Sequence, residues 1–482
     1  MVFNSLIFLA FLAVVLPVYY RLPFRAQNWF LLFASWFFYG WWNVWFLGLL
    51  WFTSFFDYYC AHWIERTENP RRRKWLLAGS MTVNLTVLGI FKYFNFFADG
   101  AANLLGVFGF HADVPTLRII LPIGISFYTF LSMSYTIDVY RRELKATARL
   151  VDYQLFVCYF PHLVAGPIVR AAYLLPQCER PRVLKPDQVV NGIWLILLGY
   201  FKKVVLGDRL AQAVNWGFSG HAAPLPDANA WLVIYAFAFQ IYADFSGYSD
   251  IARGLAKIMG FELVENFKSP YLVANPSDFW RHWHISLSTW LRDYLYIPLG
   301  GNRRSRLRTY LNLMLTMILG GLWHGAGAAF LLWGFFHGAL LSAQRLWTQL
   351  FHPGEKQSAA AEIAIGAGGR FSQAVRAILF FHVTCLGWLL FRAGSLPKNV
   401  SQVDMVKSYL HALFTWPHGA DPLLRGVLVC GATTIFLQWK NSAMQQFSTW
   451  PVRWQVLAVT AVLLSIASLG VFEGAQFIYF QF

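Results

Sequence analysis

Two histidines stand forty residues apart in an otherwise apolar sequence: His284, inside Asn275-Pro-Ser-Asp-Phe-Trp-Arg-His-Trp-His-Ile-Ser-Leu-Ser288, and His324, inside Gly320-Gly-Leu-Trp-His-Gly-Ala-Gly327. Imidazole titrates near neutrality, so it can take a proton from a hydroxyl and return it to a leaving group, which is the work acyl transfer requires. An ionisable group at membrane depth is costly and faces the protein interior or a wet path, which makes function its default reading. The competing reading for His324 is a structural histidine satisfied by its neighbours.

At 100° per residue, a helix starting after Pro276 and capped by Ser277 or Asp278 would place Trp280, Trp283, Leu287, Trp290, Leu291 and Tyr294 on one apolar stripe. Arg281, His284, Ser288 and Arg292 would line up beside it, with His282 and Asp293 pointing elsewhere. The alternative is an interfacial amphipathic helix whose Trp and Arg side chains sit at the lipid headgroups. Around His324, Gly320, Gly321, Gly325 and Gly327 permit close approach of a backbone or a ligand. His337, in Trp333-Gly-Phe-Phe-His-Gly338, ranks below it.

Two further polar stretches interrupt the apolar runs. In Gln240 to Arg253, Asp244 and Asp250 are six apart and do not share a helical face, so pairing with nearby arginines is expected rather than a carboxylate dyad. Phe160 to Arg170 is broken by Pro and Gly, as segments lining cavities are. The sequence has no Walker-type glycine loop, no HExxH, no GxSxG elbow and no convincing metal set. Its five cysteines show no paired spacing of the metal or redox kind.

The elements that must carry these groups are membrane helices. Of the 482 residues 57% are hydrophobic and 13% charged, against about 25% charged in soluble domains. The formal net charge of +16 collects in short loops such as Arg71 to Lys74 and Arg303 to Arg306. Cytoplasmic loops are expected to be basic in this way, so the charge does not indicate nucleic acid. The predicted spans are 3–20, 28–40, 42–63, 76–97, 118–140, 231–249, 308–324, 328–348, 372–391, 422–439 and 453–472. The loops Arg21 to Arg25, Glu65 to Lys74 and Arg141 to Arg149 then fall on the cytoplasmic side, and Asp99 to Thr116 and the N-terminus outside. Met1 to Tyr20 lacks the features of a removable signal peptide and is taken as the first span.

Residues 153–300 are less regular at Pro161 to Arg170, Tyr200 to Arg209 and Lys268 to Arg281, so re-entrant or interfacial helices are expected there. Pro353 to Arg370 is expected to be a loop. No transporter-like internal repeat occurs. The expected fold is all-α, with roughly 10–12 transmembrane helices in one membrane domain over 1–482: N-terminal spans at 1–150, a catalytic core at 151–350 and C-terminal spans at 351–482.

Taken together, Tyr242-Ala-Asp-Phe-Ser-Gly-Tyr-Ser249, Asp278 to Ser288, Pro298-Leu-Gly-Gly-Asn302 and Gly321-Leu-Trp-His-Gly325 resemble the membrane-bound O-acyltransferase family. Pro161 to Pro167 and Gln476 to Phe480 extend the likeness over nearly the whole chain. The nearest branch resembled is the bacterial alginate O-acetyltransferase membrane component and its cellulose and peptidoglycan relatives.

The resemblance implies a central tunnel, with His324 catalytic and His284 its partner. It also implies acetyl-CoA as acyl donor and no permanently bound cofactor. A periplasmic SGNH-type acetyltransferase would complete transfer to an exported polysaccharide, from a multi-pass protein of the bacterial inner membrane. Arg281, Arg292 or the Arg303 to Arg308 loop would meet the nucleotide phosphates, with Ser288 and Trp323 beside the donor. D-alanyl or peptidoglycan acyl transfer remains open, as does a non-enzymatic carrier of a lipid-linked sugar.

Overall fold

The computed structural model describes residues 1–110, 120–218, 229–351, 369–396, 400–414, 424–472 and 477–478. Its regular structure is helical throughout, and no strand occurs among the described residues. The described residues fall into two compact units, Met1–Ile196 with Tyr248–Val264, and Leu197–Gly247 with Glu265–Phe482.

The first unit holds α1 (Leu6–Arg21), α2 (Phe24–Gly40), α3 (Val44–Arg66), α4 (Pro70–Leu88), α5 (Phe94–Val107), α6 (Ile125–Arg141), α7 (Leu150–Cys158), α8 (Phe160–Leu163) and α9 (Ala171–Glu179). A π-helical turn, Gly89–Tyr93, joins α4 to α5 into one continuous span. Asn69 caps α4 by accepting from the amides of Arg71 and Arg72, with Pro70 pre-set for the first turn. Several buried polar residues of the unit pair with one another. Asp57 accepts from Ser80 Oγ at 2.6 Å and Asn84 Nδ2 at 2.8 Å, and Asn28 Nδ2 donates to Asp152 Oδ1 at 2.7 Å. Arg73, from the basic run assigned to topology, is buried and donates to the carbonyls of Ile64 at 2.6 Å and Tyr140 at 2.7 Å. It thus satisfies orphan acceptors near the ends of α3 and α6.

Helix α10 (Pro186–Tyr200) runs through a π-helical segment, Phe201–Gly207, into α11 (Asp208–Gly217). Sequence reading took Tyr200 to Arg209 for an irregular stretch, but Pro186–Gly217 is one apolar helix long enough to cross a membrane. Two of the misleading polar residues, Lys203 and Asp208, pair inside the second unit. Lys203 Nζ lies 2.6 Å from Asp244 Oδ1 and 2.9 Å from Asp208 Oδ1. The partner of Asp244 is therefore a lysine, where an arginine was expected. Asp250 does pair with an arginine, Arg253, at 3.5 Å.

Helix α12 (Ala230–Ile258) supplies residues to both units. The second unit continues with α13 (Pro276–His282), α14 (Ile285–Leu291), α15 (Arg306–His324), α16 (Ala328–Phe351), α17 (Gly369–Gly394), α18 (Gln402–Ala412), α19 (Leu424–Trp439), α20 (Asn441–Gln445) and α21 (Val452–Leu469). No residue of α21 is buried although the helix is apolar, which is the surface a lipid-facing span presents.

The expected spans coincide with α1 to α4, α6, α12, α15 to α17, α19 and α21, and the broken region 153–300 does fold into short helices. Residues 152–169, including all of α8, are buried, so their irregular backbone is packed in protein. The expected outward loop after Asp99 begins as helix α5, and 111–119 lie outside the described residues. The expected loop Pro353 to Arg370 lies outside them too, apart from Gly369 and Arg370, as does Gln476 to Phe480 apart from Phe477 and Ile478.

Candidate functional site

The helix expected across residues 276–296 breaks in the middle. Asn275, not Ser277 or Asp278, caps α13 by accepting from the Asp278 amide. The helix stops at His282, and His284 then takes a left-handed conformation (φ 42°, ψ 54°) before α14 begins at Ile285. Such a conformation is strained for a residue with a Cβ. Neighbours hold it in place. The Asn266 carbonyl accepts from the Ile285 amide at 3.0 Å and the Asn266 side chain from the Ser286 amide at 3.3 Å, capping α14 from a distant loop. Ser288 Oγ donates to the Trp283 carbonyl at 3.1 Å.

The break corrects the shared face. Arg281 and Arg292 do not line up with His284: both are exposed, Arg281 pairing with Asp278 at 3.1 Å and Arg292 with Asp293 at 2.7 Å. The apolar stripe from Trp280 to Tyr294 is likewise divided between two helices. By contrast Arg303, Arg304, Arg306 and Arg308 are exposed at the start of α15, with no carboxylate partner among the described residues.

His284 is fully buried, and His324, the last residue of α15, is 3% exposed. The two rings approach with centroids 6.3 Å apart and planes at 60°. Aromatic side chains surround them. Phe245 stands edge-on to His284 at 4.7 Å, and Trp323 lies 5.9 Å from His284 and 5.0 Å from His324. Trp333 and Phe391 face His324 at 5.1 and 5.2 Å. His337 is buried one layer on, stacked parallel to Phe279 at 5.8 Å and beside Trp280 and Trp333.

Glycines set how closely the walls approach. A Cβ on Gly321 would run into the Phe330 carbonyl, and one on Gly334 into the Met317 carbonyl, so α15 and α16 cross backbone to backbone just before His324. A Cβ on Gly325, the residue after it, would run into the Phe330 ring. Two imidazoles in a water-poor aromatic enclosure can move a proton between an attacking hydroxyl and a leaving group with little competing hydrolysis.

Of the groups foreseen, the structure brings together His284, His324 and Trp323. Ser288 serves the helix break, and Arg281 and Arg292 stand at the surface. Phe245, Trp333 and Phe391 were not singled out. Phe245 sits inside the motif that drew attention to Asp244, whereas Phe391 lies in an apolar span with no local signal. Asn266 was also missed, because its role depends on a backbone break that helical periodicity cannot foresee.

Residues 41–389 match the model of MBOAT, the membrane-bound O-acyltransferase family. The chain is 44% identical over 404 residues to "Probable alginate O-acetylase AlgI" of Azotobacter vinelandii, covering 82% of this chain and 76% of that protein. It is 36% identical to the peptidoglycan O-acetyltransferase of Helicobacter pylori, covering 100% of this chain and 98% of that protein. The teichoic acid D-alanyltransferase of Bacillus subtilis is 25% identical over 58% of this chain.

Proposed function

Because the chain belongs to the membrane-bound O-acyltransferase family, and is thus a multi-pass membrane acyltransferase, we propose that it moves acetyl groups from acetyl-CoA for O-acetylation of an exported polysaccharide. The observation that carries this reading is the buried approach of His284 and His324 inside one aromatic enclosure. The acceptor is drawn from the alginate O-acetylases at 43–44% identity.

In this reading the thioester enters from the cytoplasmic side, and Arg303, Arg304, Arg306 and Arg308 bind its phosphates, since their guanidiniums are not already matched to carboxylates as those of Arg281 and Arg292 are. The acceptor hydroxyl loses its proton to His324 and attacks the thioester carbonyl. The C–S bond breaks, and the thiolate receives the proton from His324. His284 orients the acceptor or steadies the carbonyl oxygen, and Trp323 walls the acetyl group. The enzyme sits in the bacterial inner membrane with its N-terminus periplasmic, and an SGNH-type periplasmic acetyltransferase completes delivery to the polymer.

Full-length coverage of the Helicobacter protein favours a second acceptor, peptidoglycan. Acetyl ester is to be quantified on exopolysaccharide and on purified peptidoglycan from a strain lacking the gene and from one carrying His324→Ala at equal membrane protein level. Loss of ester from one polymer names the acceptor. Unchanged ester on both removes the assignment. Reversing Arg303, Arg304 and Arg306 to Glu is expected to weaken acetyl-CoA binding, and unaltered affinity would discard the phosphate site.

A further inference from the structure

Within the second unit, away from the histidines, a cavity of about 960 Å³ is bounded by the π segment Phe201–Gly207, α11, α19 and α21. Val205, Leu210, Val427 and Leu469 give it apolar walls, and among the described residues its charged lining is Arg209 and Arg425. Both arginines are exposed.

The two cations belong to one end of the cavity. The start of α19, at Arg425 and Gly426, and the end of α21, at Ser465 and Leu469, line the same cavity. Arg425 is the second residue of α19. Arg209 Nε donates to the carbonyl of Leu469, the last residue of α21, at 2.7 Å. That bond offsets the negative end of the α21 dipole. Among the described residues Arg425 finds no such compensation: it stands at the positive end of its helix, whose first turn contains no acidic residue, and it forms no hydrogen bond or ion pair with any of them. An anion on Arg425 and on the remaining nitrogens of Arg209 would relieve that repulsion.

The rest of the cavity calls for hydrocarbon. It lies between helices beside α21, an apolar span with no buried residue, and an apolar groove open to the bilayer fills with acyl chain. We propose that this cavity binds an anionic phospholipid, its phosphate on Arg209 and Arg425 and an acyl chain along Val205, Leu210 and Val427.

The test uses the full-length protein purified in detergent, loaded with phosphatidylglycerol or phosphatidylcholine and read by native mass spectrometry. Wild type is expected to retain phosphatidylglycerol in preference to phosphatidylcholine by roughly tenfold, and the double variant Arg209→Gln/Arg425→Gln to lose that preference. Gly426 also lines the cavity, and a Cβ there meets nothing within 4 Å. Gly426→Leu should therefore obstruct the groove without a clash and lower retention of both lipids, with its melting temperature confirming the fold. Millimolar inorganic phosphate should fail to displace the bound phosphatidylglycerol. Equal retention of the two lipids by wild type, an unchanged preference in the double variant, or complete displacement by phosphate would overturn the proposal.

Discussion

The ring centroids of His284 and His324 lie 6.3 Å apart although the residues come from a broken helix pair and from the end of a separate span. One small group bound at that spot is within reach of both rings. His324→Ala is expected to lower acetyl transfer by about 10²–10⁴-fold, with the affinity for acetyl-CoA retained. Acetyl ester formed per unit of membrane protein, together with acetyl-CoA binding to the purified variant, checks this.

The left-handed backbone of His284 separates its chemical from its structural contribution. Asn tolerates φ 42° and lacks the imidazole, so His284→Asn should melt near wild type while losing activity. A β-branched residue does not tolerate that conformation, and His284→Val should lose about 1–2 kcal/mol in addition. Thermal melting in detergent beside an activity assay distinguishes the two, and equal melting temperatures for Asn and Val would contradict the strain.

The crossing of α15 and α16 depends on missing side chains. At Gly334 an added Cβ meets the backbone of Met317 and Ile318, which cannot swing aside, so Gly334→Ala should cost about 1–3 kcal/mol. At Gly79 in α4 a Cβ meets nothing within 4 Å, and Gly79→Ala should be neutral or stabilise by up to about 1 kcal/mol. Opposite shifts in melting temperature are the expected pair of results.

Lys203 stands between two carboxylates, each nearly fully buried. Lys203→Met leaves both without their cation and should destabilise by about 3–5 kcal/mol. Adding Asp244→Asn should recover part of that loss, since one uncompensated charge is then gone. Additive losses in the double variant would show that the groups do not act as a unit.

The spans were legible because hydropathy reports the bilayer directly, and the two histidines because imidazoles are rare and costly there. Two kinds of information were not. The break at Trp283 and His284 has no Gly or Pro to announce it; it is set by Asn266 and Ser288, residues whose partners only the folded chain supplies. The helix Pro186–Gly217 was obscured for the opposite reason, because Lys202, Lys203 and Asp208 look like solvent-exposed residues until Asp244 is placed beside them. Local pattern locates segments, whereas charge pairing between segments decides which polar residues remain inside.

The π-helical segment Phe201–Gly207 also acts as a register mark. Its wider turn holds an extra residue relative to an α-helix, and the Val204 carbonyl it releases accepts the Val471 amide at 2.9 Å, just past the end of α21. The same residues wound as an ordinary α-helix would rotate everything downstream by about 100°, turning Asp208 away from Lys203 and Arg209 away from Leu469 together. The length of this one turn, rather than the identity of any side chain in it, keeps the buried charges and the neighbouring spans in phase.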